Sequence, residues 1–276
     1  LRDAGVEVFR INLSHASVDD IHTYWKLGQE LNLRIALDTE GPQIRTSCLS
    51  CTPFIPHIGQ EVCIYKDDSL SSCHDSLSLR LTPHYVYELL KVGDLLRLDF
   101  NGTVIKITSI NEQFIQCVCQ SSGLVGFNKG VDIVNRYVDL HDFSDKDLHA
   151  LSLASDLGIT DIFISFCKSS DAVDFVRSKI PGCHVTSKIE SRYSVHSLHS
   201  ICASSNAILI DRGDLSREIS ILDIPFAQRG IIKMAQQLDT PCYVATNVLE
   251  SLVTGDLPTR AELNDIVSTL EMGASG

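Results

Sequence analysis

Residues 6–39 run strand, helix, strand, and that order narrows the fold more than any other feature of the chain. Residues 6–13 alternate as a half-buried strand does, which puts Arg10, Asn12 and Ser14 on one face. Behind Ser17 as a cap, Val18, Ile21, Tyr24, Trp25, Leu27 and Leu31 fall near helical spacing through residue 31, and residues 34–39 form a second apolar run. A helical crossover between two such strands makes them parallel. The alternation returns later, with helices at 145–158, 170–178 and 224–238 and strands at 161–166, 184–190, 207–211 and 241–246. Thr259-Arg260-Ala261-Glu262 fits a capping box that starts one more helix. Six parallel strands are expected in total.

Two of these strands end in charge. Arg34-Ile35-Ala36-Leu37 runs into Asp38-Thr39-Glu40-Gly41-Pro42, and His184-Val185-Thr186 runs into Ser187-Lys188-Ile189-Glu190. Turn residues and charges directly after a buried strand suit the C-terminal mouth of a parallel sheet or barrel, where loops carry chemistry. Lys188 and Glu190, two apart on a strand, point the same way. A cation and a carboxylate aimed into one pocket suit phosphoryl chemistry, the carboxylate holding a divalent metal and the lysine neutralising developing charge. An ordinary structural ion pair is the rival reading.

Composition sets outer bounds. At 276 residues and 44% apolar, the chain can form one large barrel or two domains. With 23 Lys plus Arg against 35 Asp plus Glu, a net charge of -12 argues against broad binding to nucleic acid or to an anionic membrane. No apolar run reaches membrane-span length and no basic-then-apolar segment opens the chain, so a cytoplasmic protein is expected, with an organellar leader ahead of Leu1 left open. The ten cysteines lie mostly in strand-like apolar contexts and read as reduced. Cys48-Leu49-Ser50-Cys51, with Cys63 and Cys73-His74 beyond it, has one knuckle-like spacing but no clean second pair for zinc.

From about 46 to 138 the texture changes to short β-like runs broken by polar turns, at 61–65, 95–98, 102–107 and 114–119, with a Ser- and Asp-rich loop at 67–75. This reads as a separate all-β insertion. The expected organisation is 1–46 as the first barrel part, 47–138 as the inserted β-barrel lid and 139–276 as the second barrel part.

Six motifs then fall in order: Phe9-Arg10-Ile11-Asn12-Leu13-Ser14-His15, Leu37-Asp38-Thr39-Glu40-Gly41-Pro42-Gln43-Ile44-Arg45, Ser187-Lys188-Ile189-Glu190, Arg212-Gly213-Asp214-Leu215, Ala245-Thr246-Asn247-Val248-Leu249-Glu250-Ser251 and Pro258-Thr259-Arg260-Ala261-Glu262. Together, with the β insertion between the second and third, they resemble pyruvate kinase. The resemblance implies a (β/α)8 TIM-type barrel with a mobile lid inserted after its third strand. Strands two to seven are the ones matched, so the chain is expected to be truncated at both ends and to lack the first strand, the eighth strand and the family's C-terminal domain. It also implies phosphoryl transfer from phosphoenolpyruvate to ADP, giving pyruvate and ATP in glycolysis, by a protein whose relatives are usually homotetramers.

Residue by residue, the resemblance implies that Glu190 and Asp214 hold Mg²⁺ or Mn²⁺, that Lys188 stabilises the transferring phosphoryl group, and that Thr246 orients delivery of a proton to the enolate. Arg10 and Arg45 match phosphate-contacting arginines on both the substrate and nucleotide sides, and Lys129 and Asp99 match contacts to ADP. Ser165, Phe166 and Gly213 match the lining of the substrate pocket, the backbone amides of Gly213 and Asp214 meeting the substrate carboxylate. Asn12, Ser14, Asp38 and Thr39 match a K⁺ site. Asn12 and Ser14 read equally as turn residues, and Thr246 as a β-branched core position.

The chain also departs from the family pattern. Gln43 stands where relatives carry an acid or a lysine that correlates with K⁺ dependence, and Asp211 replaces a small residue just before Arg212-Gly213-Asp214. Ser216 replaces a glycine, which predicts a strained turn. Lys129-Gly130-Val131-Asp132-Ile133-Val134-Asn135 lacks the Pro-Gly of the family's lid hinge, and Asp99-Phe100-Asn101 keeps one of two paired aspartates. Three readings follow: an active pyruvate kinase, a weak or inactive paralogue with a regulatory or assembly role, and a different metal-dependent barrel lyase or aldolase. The last accounts neither for the insertion nor for Asn12-Leu13-Ser14-His15.

Overall fold

The computed structural model describes residues 2–49, 53–66, 77–99, 102–136, 138–255 and 257–276, residues 48 and 49 by their backbone alone. The knuckle-like cysteine pair with Cys73-His74, the loop at 67–75 and Phe100-Asn101 therefore lie outside the described side chains. The chain divides into two compact units, one formed by residues 1–42 and 142–276 and the other by residues 43–141.

The first unit begins with β1 (Val8–Asn12), α1 (Val18–Leu31) and β2 (Arg34–Asp38), the predicted parallel pair, with Asn12 beside Asp38 in register. Ser17 and Asp20 close a capping box at the start of α1, and Asn32 ends the helix with φ 51°, satisfying two of the last free carbonyls.

The second unit is a closed barrel of β3 (Ile44–Leu49), β4 (Glu61–Tyr65), β5 (Leu77–Thr82), β6 (Leu95–Leu98), β7 (Val104–Ile110), β8 (Phe114–Ser121) and β9 (Gly130–Ile133), with the short α2 (Val86–Leu89). Its pairs are antiparallel except β4 with β5. Alternate residues such as Val62, Ile64, Leu96, Leu98, Ile105, Ile107, Ile115 and Cys117 fill its own core. Three of its strands were not foreseen: β3 and β9 carry too short or too polar an alternation, whereas β5, in which Leu77, Leu79 and Leu81 alternate with polar residues, was readable and missed.

The chain then returns to the first unit through α3 (Asp145–Leu157), β10 (Asp161–Ile164), α4 (Ser170–Lys179), β11 (His184–Ile189), α5 (Arg192–His196), α6 (Leu198–Ser204), β12 (Ala207–Asp211), α7 (Arg212–Glu218), α8 (Ile224–Gln237), β13 (Cys242–Ala245) and α9 (Arg260–Glu271). The six parallel strands lie in the order β1-β2-β10-β11-β12-β13. This is the curled sheet of a partial TIM-type barrel; the all-β unit is separate from it. Beyond β13, Ser275 donates its N–H to the Cys242 carbonyl at 2.6 Å and Val244 donates to the Gly276 carbonyl at 2.9 Å.

Strand parity organises the sheet. Ile11, Leu37, Ile162, Ile164, Val185, Ile189, Ile208, Ile210 and Cys242 join the core with Ala150, Leu151, Val173, Ile201, Ile231 and Ile232 from the helices. The opposite parity puts Arg10, Asn12, Asp38, Phe163, Lys188 and Asp211 on the concave face. Those residues lie toward the C-terminal ends of their strands.

The expected strain at Ser216 is absent. Ser216 lies inside α7, and its hydroxyl donates to the Gly213 carbonyl at 2.7 Å. A helical φ admits any side chain, so no glycine is required there. α5, α6 and α7 were also not foreseen, because none exceeds 7 residues and only α6 shows a helical stripe, the single turn of Leu198, Ile201 and Cys202. Among the described residues no helix is long and apolar enough to cross a membrane.

Candidate active site

At the concave face Lys188 lies between two carboxylates. Its ammonium is 2.9 Å from Glu190 Oε1 and 3.4 Å from Asp38 Oδ1, and the side chains of Asp38 and Glu190 are wholly buried. Arg10 meets the other oxygen of Asp38, with Nε 3.3 Å from Oδ2, and its guanidinium lies 5.4 Å from the centre of the Phe163 ring. Arg10 keeps more of its surface than Asp38 does, so it is the solvent-accessible partner of a buried carboxylate. Burial alone would lower the Lys188 ammonium, but Glu190 and then Asp38 beside it hold it above the usual lysine value.

The backbone clamps this group. Phe166, at φ 51°, donates its N–H to Glu190 Oε2 at 2.7 Å. Ser165 donates its N–H to Thr39 Oγ1 at 2.9 Å, and its hydroxyl lies 2.5 Å from the Thr39 carbonyl and 3.3 Å from Asp38 Oδ1. Oε1 of Glu190 has the Lys188 ammonium as ion-pair neighbour but no aligned hydrogen-bond donor.

Glu190 is also one of three carboxylates, with Asp211 and Asp214, whose oxygens lie within 4.8 Å of one another. Burial is the main cause that pushes the Glu190 carboxyl up to about 7, and the charges of Asp214 and Asp211 add to it against Lys188. Burial, then Asp211, also raises Asp214, although Arg217 approaches it at 3.4 Å. Crowded, desolvated carboxylates with a buried oxygen lacking an aligned donor are a donor set that fits a hard divalent cation. Glu190 and Asp214 are the pair the sequence singled out; Asp211 joins them.

Asp211 caps α7, accepting the Gly213 N–H at Oδ1 over 3.2 Å. The same oxygen is 3.0 Å from the Thr246 hydroxyl, and Thr246 Oγ1 is itself 2.9 Å from the Gly213 nitrogen. Thr246 and Asn247 have φ 68° and φ 53°, a left-handed bend that a β-branched threonine adopts only under constraint. Arg212 supplies the constraint: its guanidinium donates to the Thr246 carbonyl at 2.8 Å and the Asn247 carbonyl at 3.1 Å, and pairs with Asp265 of α9 at 2.7 Å.

Of the K⁺ candidates, Asn12 and Asp38 are register neighbours and Asn12 Oδ1 accepts the Ser14 N–H at 2.9 Å. The Thr39 hydroxyl is turned to Ser165. Arg45, Asp99 and Lys129 belong to the other unit, where Arg45 Nη1 donates to the Asn128 carbonyl at 3.3 Å and Lys129 pairs with Asp99 at 3.0 Å.

The family model for the pyruvate kinase barrel domain matches residues 1–275. The chain belongs to the pyruvate kinase family. It is 28% identical over 281 residues to a pyruvate kinase of Trypanoplasma borreli, covering 99% of this chain and 56% of that protein. It is 29% identical over 287 residues to plastidial pyruvate kinase 3, chloroplastic, of Arabidopsis thaliana, covering 99% of this chain and 49% of the relative. A pyruvate kinase of Mycobacterium intracellulare is also 29% identical over 287 residues, with 99% and 60% covered. The chain spans about half the length of the curated relatives it matches.

Several positioning residues of this candidate site were given no role by sequence reasoning. Besides Arg212 and Asp265, Asp147 at the third position of α3 accepts the N–H groups of Glu40 at 2.8 Å and Gly41 at 3.1 Å, fixing the turn that leaves β2. Ser144 donates to Glu40 at 2.8 Å, and Lys146 pairs with Glu40 at 3.3 Å. A Ser-x-x-Asp capping signature at 144–147 was readable, but its second use on a distant turn was not.

Proposed function

We propose that this chain supplies the barrel side of a site that transfers the phosphoryl group of phosphoenolpyruvate to ADP, giving pyruvate and ATP. The observation that carries the reading is Lys188, held between Asp38 and Glu190, with Glu190 also in the carboxylate group with Asp214. As part of the same reading, segments 1–46 and 139–276 are barrel and 47–138 is the lid. The whole protein is then a homotetramer, as the family resemblance implies, in the cytoplasm or, with a leader ahead of Leu1, in an organelle.

Glu190 and Asp214 would hold Mg²⁺ or Mn²⁺, which when bound supplies positive charge against phosphate and enolate oxygens. Lys188 offsets charge that builds on the transferred group as the enol oxygen–phosphorus bond breaks and the bond to the ADP oxygen forms. Arg10, and Arg45 from the other unit, contact phosphate, and Asp99 and Lys129 serve the nucleotide. Ser165 holds Asp38 and Thr39 in place and, with Gly213, lines the substrate pocket. The Thr246 hydroxyl orients proton delivery to the enolate carbon. Asn12, Ser14, Asp38 and Thr39 offer oxygens to K⁺, with Gln43 as the residue that decides the dependence.

The test is pyruvate formation from phosphoenolpyruvate and ADP by the complete gene product, with Mg²⁺ fixed, K⁺ titrated from zero and Lys188→Met as control. Pyruvate that requires ADP and is lost in the control supports the reading. No pyruvate from a folded, Mg²⁺-binding protein moves the assignment to a weak or inactive paralogue with a regulatory or assembly role, a reading that Asp211 specifically favours.

A further inference from the structure

Asp211 is the carboxylate at this site that the expected reaction does not use. Its Oδ1 accepts from the Gly213 N–H at 3.2 Å, an N–H it shares with Thr246 Oγ1 at 2.9 Å. The same oxygen lies 3.0 Å from the Thr246 hydroxyl, which is also 2.5 Å from the Ala245 carbonyl, so it competes at two donors without filling either alone. The neighbouring Arg212 does not neutralise it, because that guanidinium is spent on two carbonyls and on Asp265. Among the described residues no cation pairs with Asp211. Among the described residues, the carboxylates Asp38, Glu190 and Asp214 thus have Arg10, Lys188 and Arg217 as ion-pair partners, and Asp211 adds a fourth carboxylate without one.

We propose that Asp211 is a specificity-determining residue, a built-in carboxylate that competes with an anionic ligand for the Gly213 amide and the Thr246 hydroxyl while strengthening the hold on a divalent cation. This rests on the reading of Glu190 and Asp214 as metal-holding residues and deepens it. Two physical effects act in the same direction. A ligand carboxylate arriving at the Gly213 N–H must displace an acceptor already in place, so it exchanges one charge-assisted hydrogen bond for another and gains little. It must also approach a fixed negative charge in a partly buried site, where screening by water is weak. A divalent cation meets the opposite balance, because a third carboxylate adds to its attraction. The site is thereby biased toward metal and against a carboxylate-bearing substrate.

The experiment is calorimetric titration of the 276-residue chain, first with Mn²⁺ alone and then with phosphoenolpyruvate at saturating Mn²⁺, for wild type, Asp211→Ala, Asp211→Asn and Glu190→Gln. The asparagine keeps size and an acceptor, so it controls for folding. Asp211→Ala is expected to bind Mn²⁺ more weakly and phosphoenolpyruvate at least about tenfold more tightly, as removal of one nearby charge predicts, with Asp211→Asn between it and wild type. If Glu190→Gln loses Mn²⁺ while both Asp211 variants bind phosphoenolpyruvate no better than wild type, the role of Asp211 is overturned and the metal reading stands. If Glu190→Gln binds Mn²⁺ as wild type does, the metal reading and the role of Asp211 fall together.

Discussion

Lys188 and Glu190 occupy consecutive inward positions at the end of one strand, and their charged atoms meet at 2.9 Å in a site from which water is nearly excluded. Neither charge is stable there alone. The arrangement is therefore both a structural dependency and the centre of the expected chemistry, and these two roles separate by measurement.

Replacing Lys188 by Met leaves Asp38 and Glu190 buried without their shared cation. The expected cost is about 3–5 kcal/mol of stability near neutral pH, read by denaturant unfolding. The loss should shrink as pH falls and the two carboxyls take up protons instead. In the complete protein the same change should lower phosphoryl transfer by about 10²–10³ or more, as removal of a preorganised charge does. A stability loss without a rate loss would leave the ion pair purely structural.

Divalent metal should stabilise the barrel unit. At a hundredfold excess of Mg²⁺ or Mn²⁺ over its dissociation constant the gain is about 2.7 kcal/mol by linkage, seen as a rise in melting temperature reversed by chelation. Glu190→Gln should abolish the rise. A rise of equal size in that variant would place the ion elsewhere.

Glu262 gives a pH signature remote from the chemistry. Hydrogen bonds from Ser251 and Thr259 hold its carboxyl at about 2 in the folded protein, against an ordinary 4.5. A carboxyl lowered by folding contributes stability above its unfolded value, and that contribution is lost as pH falls through the folded value. The stability difference between wild type and Glu262→Gln should thus be full at pH 6, shrink below about pH 4.5 and vanish near pH 2. Urea titrations of both proteins across that range decide it, and a difference that does not change with pH would remove the capping carboxylate as its source.

Gly41 is expected to tolerate no side chain. It has φ 76°, and a Cβ there would stand 2.8 Å from the Phe166 ring and 3.0 Å from Ser165. Gly158, at φ 71°, has nothing within 4 Å of such an atom. Gly158→Ala should cost about 1–2 kcal/mol from the backbone alone. Gly41→Ala should cost more and should also weaken Mn²⁺ binding, since Phe166 positions Glu190 through its N–H. Equal destabilisation, with Mn²⁺ affinity unchanged, would show that the turn yields freely.

Much of this was legible in the residues. Period-two and helical patterns placed all six parallel strands and the long helices, because buried faces repeat at the period of the element that carries them. The Ser17 and Thr259 caps were readable for a related reason: both of their hydrogen-bond partners lie within four residues. Ser216 was misread, since a glycine-like demand was inferred from a motif whose local backbone here is helical. β3 and β9 stayed hidden because closure of a small barrel by neighbouring strands, rather than their own apolar pattern, makes them strands, whereas β5 alternates Leu77, Leu79 and Leu81 with polar residues and was simply missed.

The sequence by itself determined the strand parity that sends Lys188, Asp38 and Arg10 to one face, and the order of motifs that identifies the family. Those are properties of spacing along one chain. Only the tertiary structure decided that Asp147 holds a turn more than a hundred residues away, that Arg212 and Asp265 brace the bend at Thr246, and that the Thr246 hydroxyl comes within 3.0 Å of the Asp211 carboxylate. Each of those depends on a side-chain rotamer meeting a group that lies far away in the sequence. Such a meeting is set by packing of the whole sheet, and no local period encodes it.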